Sequence, residues 1–302
     1  MKNRRKYLIL LLASLVILIL ILQLAYSQSK KADTTGDDIA NALATIAALQ
    51  ESDSSSCNET VDSISCDSAL DNSISTNDIA TPYVDISCLE SGCVIDASLV
   101  DFDHLEDYFL ISEIDDNIYS YINGKTYRDN NNISLADLRY IKLIHYNYNH
   151  DIQVGELIVN KKVTDEFVDI FKELFVNEYE IEKMYLPDRY WTGDCHTTDD
   201  ASCDDNNTSA FFYRTAESSG NISNHAYGMA IDINPQQNPY VSLRGGIPNC
   251  AHENAMEYLD RASGKPHMIT KDDLCYQLFI AHGYSWGGAW THSKDYQHFE
   301  KK

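Results

Sequence analysis

Positive charge is scarce in this chain. Its 302 residues carry 23 Lys and Arg against 46 Asp and Glu, a formal charge of −23. Phosphate backbones are gripped by clustered Lys and Arg, so a nucleic-acid binder is excluded. Docking on an anionic membrane through a basic patch is excluded on the same ground. Internal repeats and aromatic arrays are also missing, which argues against a repeat-built surface adhesin. No CxxC pair occurs, so the eight cysteines lack the usual spacing of a zinc–thiolate cluster.

What is present begins with residues 1–6 (MKNRRK), a basic tail with four cations, followed by the uncharged residues 7–26. About 20 apolar residues at 1.5 Å rise span a hydrocarbon core of roughly 30 Å, so 7–26 reads as a transmembrane anchor. Ala25-Tyr26-Ser27 also fits a signal-peptide cleavage site, but the apolar stretch exceeds the usual h-region, which favours the anchor. Either way the cations stay inside and the remainder is exported: a single-pass protein of the cell membrane, or a secreted one if the segment is cleaved. An even cysteine count in an exported chain predicts disulfides. Sequence-neighbour pairing of Cys57, Cys66, Cys88, Cys93, Cys195, Cys203, Cys250 and Cys275 is the simplest scheme.

Residues 27–102 read as an acidic, low-complexity, disordered linker. From Ser27 to Asp107 there are 17 acids against Lys30 and Lys31, about two thirds of the net charge. Such a stretch buries too little apolar surface to offset its ordering entropy. Residues 103–302 read as a globular α+β domain, because helical and strand patterns follow without regular βαβ alternation. The spacing predicts a helix over 105–124, a strand over 137–149 and a short strand at 155–160. It then predicts a helix over 164–179, N-capped by Thr164, with Phe167, Ile170, Phe171, Leu174 and Phe175 as its core stripe. Strand, helix and strand patterns close the chain at 222–235, 276–288 and 294–300.

Most of the ten histidines sit in polar contexts and need no special role: His104, His145, His150, His196, His252, His267 and His292. Two stretches differ. In AIDIN (230–234) a period of two sends Ile231 and Ile233 to the core and Asp232 to the opposite face. A carboxylate there is costly unless it is paired or holds a cation. His225 lies seven residues earlier, across Gly228, where the chain can bend. The same pair also fits a plain buried His–Asp hydrogen bond. In KDYQHFE (294–300), Phe299 faces the core and His298 the cleft, with Asp295 three residues before. Two His and one carboxylate, with a second carboxylate nearby, form the pattern of a catalytic Zn2+ site.

The order SxHxxGxAxD, then DxxH, resembles the zinc peptidases that include VanY-type D-alanyl-D-alanine carboxypeptidases and the L-alanyl-D-glutamate endopeptidases of phage endolysins and bacilli. The resemblance spans roughly 108–302 and includes GELIVN (155–160), NNTSAFFYR (206–214), SNHAYGMAIDINP (223–235) and WGGAWTHSKDYQHFE (286–300). It implies the hedgehog/DD-peptidase fold, an antiparallel sheet flanked by helices. It implies His225, Asp232 and His298 as zinc ligands, Asp295 as general base, and Arg214 as the group that polarises the scissile carbonyl. From spacing alone, Arg214 reads as a structural salt bridge. Ser223 is implied to orient substrate or the first ligand, and Tyr227, Trp286 and Trp290 to line the cleft, although those aromatics also suit core packing. The implied substrate is a peptidoglycan stem peptide. Asp rather than Glu as base points to the endopeptidase branch, ahead of the carboxypeptidase. A non-catalytic wall-binding module is the alternative of another class; it need not keep Asp295 or Arg214, and this chain has both.

Overall fold

The computed structural model describes residues 83–216 and 220–302. The basic tail, the expected anchor at 7–26, Cys57, Cys66 and the linker up to residue 82 lie outside these residues. In chain order the elements are β1 (Val94–Ile95), β2 (Phe109–Ser112), α1 (Asp116–Ile122), β3 (Leu138–Tyr146), β4 (Ile152–Asn160), α2 (Thr164–Val176), β5 (Lys183–Met184), α3 (Cys195–Asp204), β6 (Asn207–Thr208), β7 (Ala230–Asp232), β8 (Tyr240–Ser242), α4 (Leu274–Ala281), β9 (Ser285–Trp286), β10 (Ser293–Asp295) and β11 (His298–Glu300). The α+β expectation holds. An antiparallel sheet in the order β1-β4-β3-β2 is covered by α2, and a second antiparallel sheet, β7-β11-β9, carries the C-terminal strand.

The β3–β4 hairpin is the longest pairing, running from Leu138↔Asn160 to Tyr146↔Ile152. Its turn is closed by Asn147, whose Oδ1 accepts the amides of Asn149 and Asp151. The α2 stripe of Phe167, Ile170, Phe171, Leu174 and Phe175 is buried as expected. At about 1.5–3 kcal/mol per large apolar side chain, that face fixes the helix on the sheet. Thr164 is not the cap: its hydroxyl donates to the Asn160 carbonyl, and Val163 holds the N-cap position. One core joins both sheets, since Ile231, Phe299, Phe279 and Trp286 belong to the same buried cluster as Phe167 and Phe171.

Three expectations are corrected. The helix over 105–124 is instead a 3-10 turn (Leu105–Tyr108), strand β2 and the short α1, which Asp115 caps by accepting the Ile118 amide. Pairing of Phe109–Ser112 with Leu143–Tyr140 on the hairpin's edge outweighs the local helical spacing. The linker does not extend to residue 102, because β1 pairs with β4 and Ile86, Ile95 and Val100 are buried in the main core. Among the described residues no disulfide is formed: Cys88, Cys93, Cys195, Cys203, Cys250 and Cys275 are free. Cys195 and Cys203 share α3. Eight residues of helix separate them by about 12 Å, beyond the roughly 4.4–6.8 Å that a bridge spans. The Cys250 thiol donates to the His252 carbonyl, and Cys275 is buried in α4. Among the described residues no helix is long and apolar enough to cross a membrane.

His145 departs from its polar-context expectation. It lies in β3, is buried, and has an Nε2 without a hydrogen-bond partner among the described residues. Burial pushes its pKa down to about 4, against weaker raising contacts from the Tyr146 and Ile181 backbone. The unfolded chain takes up this proton near pH 6.5 and the folded chain only near pH 4. Stability from this group is therefore complete above pH 6.5 and falls by about 3 kcal/mol as the pH drops to 4. Urea unfolding of the metal-free protein at pH 7 and pH 4 measures it. His145→Leu should lose about that much less stability between the two pH values than the native chain.

Candidate metal centre

The centre is built by the register of one strand pair. β11 runs antiparallel to β7, with Phe299 opposite Ile231 and His298 opposite Asp232. The pleat sends the first pair into the core and the second to the other face. His225 arrives from a 3-10 turn, Asn224–Tyr227, whose N-cap Ser223 accepts the His225 amide at 3.3 Å. The turn ends at Gly228 with φ +63°, and a Cβ there would lie 2.6 Å from the Asn160 nitrogen. Only glycine supplies both that conformation and that close approach to β4. The segment after β6 fits between: Phe211 N–H donates to Ile158 O, Phe212 N–H donates to His225 O, and Ser209 bridges Asp232.

His225, Asp232 and His298 converge, all three buried. His298 Nδ1 lies 2.9 Å from Asp232 Oδ1 and 3.2 Å from His225 Nε2, and His225 Nε2 lies 3.2 Å from Asp232 Oδ2. Tetrahedral zinc with ligand bonds of about 2.0–2.1 Å has edges of about 3.3 Å. The spacings between the two rings and from each ring to its own Asp232 oxygen are close to that value, His298 meeting Oδ1 and His225 Oδ2. Each imidazole is fixed from behind. His225 Nδ1 donates to the Ala210 carbonyl at 2.6 Å, which leaves Nε2 as the inward ligand atom, while His298 Nε2 faces Glu300 Oε2 at 3.3 Å.

The electrostatics point the same way. Burial disfavours the Asp232 charge, yet the His225 and His298 imidazoles outweigh it and hold its carboxyl well below the usual range. Burial also opposes charge on His298, but hydrogen bonds to Asp232 and Glu300 push it up to about 10. The spot therefore favours a cation, whether a proton or a metal ion. Two convergent imidazoles and a carboxylate, with one ring backed by a backbone carbonyl and the other by a carboxylate, fit zinc.

Asp295 ends β10, opposite Tyr240. It is buried, and its Oδ1 has no hydrogen-bond partner among the described residues. Burial and then the Asp232 charge raise its pKa to about 7, against the opposing pull of His298 and Arg214. Arg214 is brought to the same place by the segment after β6, its carbonyl accepting the Ser223 amide. Its guanidinium is paired to Asp199 of α3 at 2.6 Å. Burial opposes that charge, but Asp199 and then Asp232 keep it firmly protonated. Cys203 is also close: burial and then Asp199 raise its thiol.

Of the expected lining residues, Trp290 lies at the centre, its ring 5.4 Å from that of His298, beside a cavity of about 400 Å³ formed with Thr291, His292 and Ser293. Tyr227 faces a different cavity, of about 340 Å³, with Asn224 and Asn160. Trp286 is not in the cleft. It is buried in the core, its indole N–H donating to the Tyr296 carbonyl and its ring packed on Tyr276 and Phe299. Ser223 acts on the turn that bears His225. Three partners were missed: Asp199, the Ala210 carbonyl and Glu300. Only Glu300 had a signal, since in HFE it shares the face of His298 two residues earlier.

With this geometry in view, residues 216–301 match the model of a family described as D-alanyl-D-alanine carboxypeptidase. The match supports the resemblance to VanY-like zinc peptidases over that segment, which holds His225, Asp232, Asp295 and His298 and begins two residues after Arg214. Neither a curated protein nor a solved structure matches the chain.

Gly287 packs beneath the centre: a Cβ there would lie 2.6 Å from the Asp295 carbonyl, 2.7 Å from its Cβ and 3.2 Å from the His298 Cβ. Gly287→Ala should displace both side chains and cost about 1–3 kcal/mol by overpacking. Thermal unfolding together with zinc titration checks this; normal zinc affinity in the variant would mean that the strand yields without moving His298.

Proposed function

We propose that the described chain is a zinc peptidase domain that hydrolyses peptidoglycan stem peptides, with His225, Asp232 and His298 holding the metal. The convergence of these three side chains, with contacts of 2.9–3.2 Å among them, supports this reading most directly. A zinc ion there would supply Lewis-acid polarisation of the scissile carbonyl and of water. Asp295, buried and with its pKa raised toward neutrality, takes the proton released during attack and returns it to the leaving amine. Arg214, kept charged by Asp199, stabilises the negative charge that develops on the carbonyl oxygen. Trp290 and its cavity receive the peptide flanking the bond. The presence of both Asp295 and Arg214 favours an enzyme over a non-catalytic wall-binding module.

The L-alanyl–D-glutamate bond is the preferred target, on the strength of Asp rather than Glu in DxxH, and the D-alanyl–D-alanine bond is second. Residues 7–26 tether this domain to the outer face of the cell membrane, with residues 27–82 as spacer. Mass spectrometry of defined muropeptides after incubation with the full chain separates the two bonds. An L-alanine-ended glycopeptide indicates the endopeptidase, and release of D-alanine the carboxypeptidase.

His225→Ala and His298→Ala should each lose zinc and activity together, as elemental analysis and turnover will show. Asp295→Asn should keep zinc while turnover falls about 100- to 10,000-fold, the usual span of general-base catalysis. Unchanged turnover would assign the base elsewhere, and loss of zinc would make Asp295 a ligand.

A further inference from the structure

Imidazole has two ring nitrogens, and a metal site is defined only when one of them is chosen. The two histidines of this centre face it through different atoms, His225 through Nε2 and His298 through Nδ1. For His225 the choice is made by the Ala210 carbonyl, which can only accept and therefore keeps the proton on Nδ1. For His298 the outward atom is Nε2, and it meets Glu300 Oε2 at 3.3 Å. That carboxylate is itself held. Asn224 Nδ2 donates to the same Oε2 at 2.5 Å, and Glu300 is mostly buried. Asn224 precedes His225 in the turn, and Glu300 follows His298 by two residues in β11, on the same face of the strand. The Asn224–Glu300 contact thus ties together the two segments that carry the histidines.

We propose that Glu300, braced by Asn224, is a positioning residue that fixes the ring of His298 with Nδ1 toward the metal and holds the two histidine-bearing segments at ligand spacing. This rests on the reading of His298 as a zinc ligand. A carboxylate accepting Nε2–H orders the ring's rotation, keeps the proton off the inward nitrogen and raises the basicity of that nitrogen. Removing the carboxylate frees the ring to turn and removes the contact between the turn and the strand.

The test uses the full chain, zinc competition against a chelator, and 15N NMR of the histidine rings. In the zinc-loaded native protein His298 should show a protonated Nε2 and a metal-bound Nδ1; the reverse assignment would overturn the proposal. Glu300→Ala should weaken zinc binding about 10- to 100-fold and speed solvent exchange of the Nε2 proton. Glu300→Gln, whose carboxamide oxygen still accepts, should recover most of the affinity, whereas Glu300→Leu, which fills similar space without an acceptor, should not; equal affinity in the two would overturn the acceptor role. Asn224→Ala should show a smaller loss in the same direction while leaving Glu300 in place. Zinc affinity within about twofold of native in both alanine variants, with His298→Ala losing zinc, would sink the brace and leave the ligand set intact. Full zinc occupancy in His298→Ala would instead remove the ligand assignment on which the brace depends. The Tm of metal-free Glu300→Ala separates the two effects on folding and binding: an unchanged Tm with weakened zinc binding supports positioning, whereas a lowered Tm with native zinc affinity contradicts it.

Discussion

Antiparallel pairing of β7 with β11 is the constraint on which the rest of the centre depends. A strand pair has two faces, and a register shift of one residue exchanges them. With His298 opposite Asp232, the imidazole and carboxylate meet on one side while Phe299 and Ile231 enter the core on the other. A slip by one would bury the charges and expose the phenyl ring. The cost of that error protects the register, so the hydrophobic core and the candidate metal centre are selected together. The remaining groups are delivered to this frame by turns: His225 by a capped turn ended at Gly228, Asp295 by the bend between β10 and β11, and Arg214 by the segment threaded beside β4.

The centre is buried and crowded with acids. Asp199, Asp232 and Asp295 approach Arg214, and Asp232 and then Asp199 raise the energy of the ionised form of Asp295. His298, His225 and Arg214 offset that repulsion unequally. Asp232, in contact with both imidazoles, stays ionised, while Asp295 is left near the point of exchanging a proton. Two aspartates of one site thus acquire different acidities from their surroundings alone, which is what a division between metal ligand and proton carrier requires.

Much of this was legible in the sequence because it is local. Period-two patterning in AIDIN and HFE placed Asp232 and His298 on the faces they occupy, and the α2 stripe was readable from its spacing of three and four. What failed was set by partners distant in sequence. The helical spacing in 105–124 gave way to the edge of the β3–β4 hairpin, and residues 83–102 found apolar surface that their own composition did not advertise. The Cys195–Cys203 pairing failed on geometry, since an even count says nothing about two cysteines placed about 12 Å apart along one helix. Asp199 was hidden in an acidic run that resembled a solvated face, yet it is the counter-charge of Arg214. Trp286 and Trp290 stand four residues apart and share composition, and only the fold assigns one to the core and the other to the cleft.

Phe299 stands between His298 and Glu300, and its ring stacks on Phe279 of α4 at 4.6 Å and on Trp286 of β9. Phe279 in turn meets Phe167 of α2 edge-on. A continuous aromatic column therefore runs from the helix that covers the first sheet to the strand that bears a histidine of the centre. A change in the packing of that column therefore reaches the backbone that carries His298. Were the centre to hold the proposed metal, its occupancy would report on the quality of an interior that no ligand touches.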